Sequence, residues 1–142
     1  MTSETDAAST AAVASDSGPG HLNVQISVGG QSFVGDEPVA AGGTGLGPAP
    51  HDLLSAALAE CTVLTLRLYA DRKSWPLDAI EVSVTHEVQA DQTPRDLFHR
   101  LVRLSGPLDE EQRARLLEIA ERCPLHRTLT AGSRIETAAA DS

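Results

Sequence analysis

From His21 to Val28 the chain alternates, with Leu22, Val24, Ile26 and Val28 on one face and Asn23, Gln25 and Ser27 on the other. That period of two predicts a half-buried strand. Gly29-Gly30 signals a hairpin turn, and Gln31 to Val34 begins the return strand. Glycine and proline dominate from Gly35 to Pro50, which reads as a flexible connection. No Gly-Lys-Ser/Thr follows to make it a phosphate-binding loop. The pattern then changes. From Asp52 to Lys73 there is no Gly and no Pro, and Ala and Leu prevail. This predicts a helix of about 33 Å. Its apolar positions, among them Leu53, Leu54, Leu58, Val63, Leu64, Leu66 and Leu68, wrap most of its circumference. Such a helix is expected at the centre of a protein. A membrane span is the rival reading, but His51, Asp52, Glu60, Arg67 and Asp71 interrupt the run.

Ser74-Trp75-Pro76 ends this helix. Ile80 to Val88 alternates again, and Asp91 to Asp96, with Pro94, reads as a loop. Phe98, Val102 and Leu104 then share a face that Arg100 breaks, so residues 80–104 predict one long hairpin. Asp109 followed by Gln112 is a capping-box signature, and Glu110 and Glu111 suit the first turn of a helix. Leu116, Leu117, Ile119, Ala120 and Cys123 continue as a helical stripe that Pro124 is expected to end. A turn over Leu125 to Leu129 would lead to a last strand near Arg134 to Thr137. The order ββ-α-ββ-α-β predicts an α+β fold rather than an alternating one.

Length and composition set bounds on this picture. At 142 residues the chain is expected to form one domain over 21–137. Residues 1–20, rich in Ala, Ser, Thr and acid, read as a disordered tail, and 138–142 as a loose C-terminus. The net charge of −9 argues against nucleic-acid and anionic-membrane partners. The N-terminus lacks the basic and apolar regions of a secretory signal, so a cytoplasmic location is expected. Two cysteines in that compartment are not expected to form a permanent structural disulfide. No Lys or Arg precedes Arg67, so an early strand that needs a cation cannot supply one.

Cys61, near the middle of the long helix, and Cys123, in Cys-Pro-Leu-His-Arg, are the candidates for chemistry. Reactivity requires a thiolate, and a thiolate requires donors or a cation nearby. Mid-helix, Cys61 gains nothing from a helix terminus. At a helix C-terminus, Cys123 would face the negative end of the dipole, with His126 and Arg127 as local offsets. Simple burial of both, as small hydrophobes, is the bland alternative. A zinc site from Cys61, Cys123 and His126 is a further alternative, but it lacks the usual paired-ligand spacing. No metal and no cofactor is expected. His86 and His99 read as packing or surface residues.

The block GPAPHDLLSAALAECT, the continuation TLRLYADRKSWPLDAIEVSVTH and the later ERCPLHRTL together resemble the OsmC/Ohr family of thiol peroxidases. The resemblance covers residues 21–137 and points to a divergent OsmC-like branch. It implies antiparallel sheets, a long central helix carrying Cys61, a second helix ending at Cys123, and an intertwined homodimer with active sites at the subunit interface. It also implies an antioxidant function, the reduction of organic hydroperoxides. Cys61 would be the attacking thiol that becomes a sulfenic acid, Cys123 the resolving thiol that closes a disulfide, and a dithiol reductant would restore both. The family's peroxidases activate the thiolate with an Arg from the N-terminal strand region and place a Glu ten residues before the cysteine. Here His51 holds that second position, with Asp52 next to it. Nine residues at about 100° each put Asp52 opposite Cys61 on the helix, which suits a capping role better. Arg67, Arg127 or a partner-chain arginine are then the candidates for the activating cation. A non-enzymatic dimer of this family, binding a small apolar ligand or sensing oxidation, is the alternative function.

Overall fold

The computed structural model describes residues 11–140. The chain divides between Leu53 and Leu54 into two compact units.

The N-terminal unit holds a three-stranded antiparallel sheet of β1 (Val13–Asp16), β2 (Val24–Val28) and β3 (Gln31–Gly35), in that order. β1 lies within the stretch expected to be a disordered tail. Val13 to Asp16 pair with Ser27 to Val24, so the free edge of β2 recruits residues whose composition alone gives no strand pattern. Residues 1–10 of that stretch lie outside the described residues. The β2–β3 turn is the expected glycine pair. Gly29 and Gly30 have φ of 59° and 77°, the left-handed values that a two-residue hairpin turn of this hand requires at both positions.

The glycine-rich segment after β3 is organised rather than a free connection. Asp36, only 4% exposed, accepts from the backbone N–H of Glu37 at 2.7 Å, of Leu46 at 3.1 Å and of Thr44 at 3.3 Å. It also accepts from the Thr44 hydroxyl at 2.6 Å. A Cβ on Gly47 would fall inside the Val34 carbonyl, so only glycine lets the loop pass back over β3.

Helix α1 runs Pro50–Lys73, and its first turn belongs to the N-terminal unit. It begins two residues earlier than Asp52. Pro50 takes the first helical position, and Asp52 reaches back to accept from the Ala49 N–H at 2.9 Å. Asp52 therefore caps from inside the first turn rather than as the residue preceding the helix.

The C-terminal unit contains the rest of α1, an antiparallel hairpin of β4 (Ala79–Val88) and β5 (Asp96–Ser105), and helices α2 (Glu110–Ala120) and α3 (Pro124–Ala131). The long hairpin is as expected, with Val84 opposite Arg100 and Ile80 opposite Leu104. The capping box of α2 is also present: Asp109 accepts from Gln112 N–H at 2.7 Å, and Gln112 accepts from Asp109 N–H at 3.0 Å. The core joins Leu66 and Ala70 of α1 to Leu77, Leu108 and to Leu116, Ile119 and Ala120 of α2, with Tyr69, Trp75, Ile80, Val102 and Leu104 packed around them.

Several sequence expectations are corrected here. α2 ends at Ala120, not at Cys123. Pro124 opens α3 instead of ending a helix, because a proline at the first helical position lacks only an N–H that would have no partner anyway. No strand forms near Arg134 to Thr137; residues 132–140 carry no regular structure. The central helix also departs from the expected all-round burial. Only one stripe, Leu58, Thr62, Leu66 and Ala70, is buried, while Leu64 and Leu68 are 54% and 60% exposed.

Candidate active site

The buried stripe of α1 repeats every four residues, and its one polar member, Thr62, lies directly after Cys61. Neighbouring residues on a helix point about 100° apart. Thr62 therefore faces inward while Cys61 stands at the border of the stripe, partly buried. The second element is the N-terminus of α3. Cys123 is its capping residue, fully buried, and its sulfur accepts from the His126 N–H at 3.3 Å. Pro124 has no N–H, so the first free donor of α3 is that of Leu125, and it is directed at the sulfur of Cys61. The first-turn N–H groups of one short helix, of which that of His126 is shared with the Cys123 carbonyl at 3.0 Å, thus serve two thiols that lie against each other. Both cysteines are reduced.

Placing Cys123 at a helix N-terminus reverses the electrostatic expectation. The positive end of the α3 dipole, not the negative end of α2, faces its sulfur. The neighbouring thiol is treated differently. Burial pushes the Cys61 thiol above the ordinary cysteine range, and contact with Cys123 adds to the shift. The Leu125 N–H and the Thr65 hydroxyl pull the other way.

A cation approaches the Cys123 side of this pair from β5. Arg100, whose side chain is 10% exposed, donates through Nη1 to the Thr62 hydroxyl at 3.1 Å. Through Nη2 it meets Glu121 Oε2 at 3.3 Å and His126 Nδ1 at 2.9 Å. A guanidinium only donates, so His126 Nδ1 must accept and its hydrogen sits on Nε2. That nitrogen lies 3.6 Å from Glu121 Oε1. The Thr62 hydroxyl in turn lies 2.7 Å from the Leu58 carbonyl and 3.9 Å from Cys123 Sγ.

The residues singled out in the sequence separate into two groups. Cys61 and Cys123 are brought together, with His126 beside them. Arg67 is elsewhere: it donates to the Leu77 carbonyl at 2.8 Å, the Asp78 carbonyl at 3.4 Å and Asp71 at 3.3 Å, tying the end of α1 to the start of β4. Arg127 is exposed on α3. Asp52 and His51 occupy the first turn of α1, both exposed. Arg100, Thr62, Thr65 and Glu121 were not singled out as site residues. The signal for Arg100 was present, since a charge interrupting the inward face of a strand needs a buried partner.

The family model for OsmC-like protein matches residues 43–138. The chain belongs to this family. Among solved structures, the organic hydroperoxide resistance protein OsmC of Legionella pneumophila is 19% identical, with a TM-score of 0.67 over 87% of this chain and 90% of that one. An OsmC-like protein of Mycoplasma pneumoniae is 20% identical, with a TM-score of 0.66 over 85% of each chain. The organic hydroperoxide resistance protein OhrB of Bacillus subtilis is 24% identical, with a TM-score of 0.58 over 85% of this chain and 90% of that one. At these identities the likenesses establish the OsmC-like fold. Among curated proteins the sequence has no significant match.

Proposed function

We propose that this OsmC-like chain is a thiol-dependent peroxidase acting on organic hydroperoxides, with Cys61 attacking and Cys123 resolving. One observation carries the reading: two reduced thiols from separate helices lie against each other, and only Cys61 is open to solvent. Two of the structures that share the fold carry the name organic hydroperoxide resistance protein, which supports the choice of substrate.

The chemistry follows from the arrangement. The Cys61 thiolate attacks the terminal oxygen of R–O–OH. An S–O bond forms, the O–O bond breaks, and the alkoxide leaves and takes up a proton to become the alcohol. The Cys123 thiolate then attacks the Cys61 sulfur. The S–S bond forms, and hydroxide leaves and is protonated to water. The two thiols supply both electrons and both protons. A dithiol reductant returns them by thiol–disulfide exchange in the reducing cytoplasm.

The active form in this reading is a homodimer. On α1, Leu64 and Leu68 follow Cys61 by three and seven residues and therefore flank it on the same side. Both are exposed. A second copy over this face would enclose the mouth of the thiol pair in apolar surface suited to an alkyl hydroperoxide. An open cleft of about 530 Å³ elsewhere on the unit fits the ligand-binding alternative less well, because Asp109, Glu111, Arg115 and Glu118 stand beside Tyr69 and Trp75 in its wall.

The deciding experiment adds one equivalent of an organic hydroperoxide to the reduced protein and counts free thiols. The wild type is expected to lose both within the mixing experiment and Cys61→Ser to keep its remaining one. Survival of both wild-type thiols for minutes would overturn the reading.

A further inference from the structure

The cation in the site does not address the attacking thiol. Arg100 contacts Thr62, Glu121 and His126, and the group this network reaches is the sulfur of Cys123, through the Thr62 hydroxyl and the His126 backbone N–H. We infer that Arg100, acting through Thr62, is a positioning residue for the second step, in which Cys123 closes the disulfide onto Cys61. This inference deepens the two-cysteine reading and rests on the two sulfurs pairing.

The argument turns on the single hydrogen of Thr62. It has two acceptors, the Leu58 carbonyl at 2.7 Å and Cys123 Sγ at 3.9 Å. While Cys123 is a thiol the shorter bond holds it, the usual bond of a threonine inside a helix. A thiolate is a much stronger acceptor, so ionisation of Cys123 draws the hydrogen across to sulfur. Arg100 bound to the same oxygen polarises the hydroxyl and strengthens the bond it then gives. Cys123 is fully buried, where an unassisted thiolate would be strongly disfavoured. The groups placed to receive that charge are the N-terminus of α3 and the Thr62 hydroxyl with Arg100 behind it.

Glu121 and His126 fix the guanidinium rather than the thiol. Glu121 balances its charge, and His126 accepts from it through Nδ1. The ionisable and charged groups around Cys123 are thus Cys61 from α1 in contact with it and, farther out, Arg100 from β5, Glu121 from the segment after α2 and the His126 ring from α3.

The second step can be read without any peroxide. An aryl disulfide such as 5,5′-dithiobis(2-nitrobenzoate) reacts with the accessible Cys61 and releases one thionitrobenzoate. Attack by the Cys123 thiolate on the Cys61 mixed disulfide then forms the Cys61–Cys123 bond and releases a second. The rate of that second release, followed by stopped flow against pH, reports the Cys123 thiolate directly. Arg100→Met is expected to raise the midpoint of this profile by about one pH unit and to slow closure about tenfold below it. Arg100→Lys should restore part of the shift, because it returns the charge. Thr62→Val, nearly isosteric, should reproduce the Arg100→Met profile and carries the test where Arg100→Met does not fold. An unchanged closure profile in Thr62→Val or in Arg100→Met would overturn the inference. Failure of the hydroperoxide assay alongside a shifted closure profile would overturn the peroxidase reading and leave this inference standing.

Discussion

Asp36 accepts hydrogen bonds from the Thr44 hydroxyl and from the backbone of Leu46, Glu37 and Thr44. Those bonds hold its carboxyl down at about 2, against the opposing effect of burial. The folded chain therefore prefers the ionised carboxylate more than the unfolded chain does. The resulting stabilisation is fully present above the ordinary carboxylate range and is lost as the pH falls towards about 2. Asp36→Asn should lower the urea midpoint at neutral pH. It should also flatten the fall in midpoint between about pH 5 and pH 2. A variant whose midpoint follows the wild type across that range would mean that the loop contributes nothing to folding. At the same scale, the contrast between Cys61 and Cys123 is a matter of one residue's placement. Both receive a backbone N–H from α3, but only Cys123 also receives the Thr62–Arg100 pair.

Among the elements, α2 and α3 show how a few residues set a boundary that then decides chemistry. Asp109 and Gln112 satisfy each other's backbone N–H groups at the start of α2. Asp109→Ala should cost about 1 kcal/mol in chemical denaturation. A change near zero would show that packing of Leu116, Ile119 and Ala120 sets the start of the helix without the cap. The stop after Ala120 matters more. Cys123 N–H meets the Ala120 carbonyl at 3.4 Å, the chain turns, and Pro124 opens α3. Had α2 continued to Cys123, the sulfur would face a row of free carbonyls instead of free N–H groups. Proline is compatible with both readings in sequence, since it suits a first helical position as well as the residues beyond a helix end. The cue that separates them is the capping role of Cys123, and cysteine is not a residue that announces a cap.

At the scale of the whole molecule, α1 carries large apolar side chains that the described residues leave exposed. Leu64 and Leu68 are both more than half exposed, which a second copy would explain. Leu68→Glu is expected to convert a dimeric mass, measured by light scattering at micromolar concentration, into a monomeric one. It should also slow hydroperoxide reduction, because the mouth of Cys61 loses its cover. A wild-type protein that is monomeric in that measurement would remove the homodimer from the proposal.

The β2–β3 hairpin, the length of α1, the β4–β5 hairpin and the capping box of α2 were legible in the sequence, because each rests on local periodicity or on side chains within a turn of the backbone they satisfy. So were the two cysteines and, through the residues around them, the family. The expected last strand does not form, and α3 was not foreseen. β1 was not legible, since its pairing is supplied by β2 and not by its own Ala- and Ser-rich composition. The electrostatics of the thiol pair were not legible either. They depend on where α2 stops and on a charge thirty-eight positions from Thr62 along the chain. Local pattern marked Arg100 as a break in an apolar face. Only the packing of β5 against α1 and α3 decided that the guanidinium in this break is held by a hydroxyl, a carboxylate and an imidazole, and that the hydroxyl lies beside the buried sulfur of Cys123.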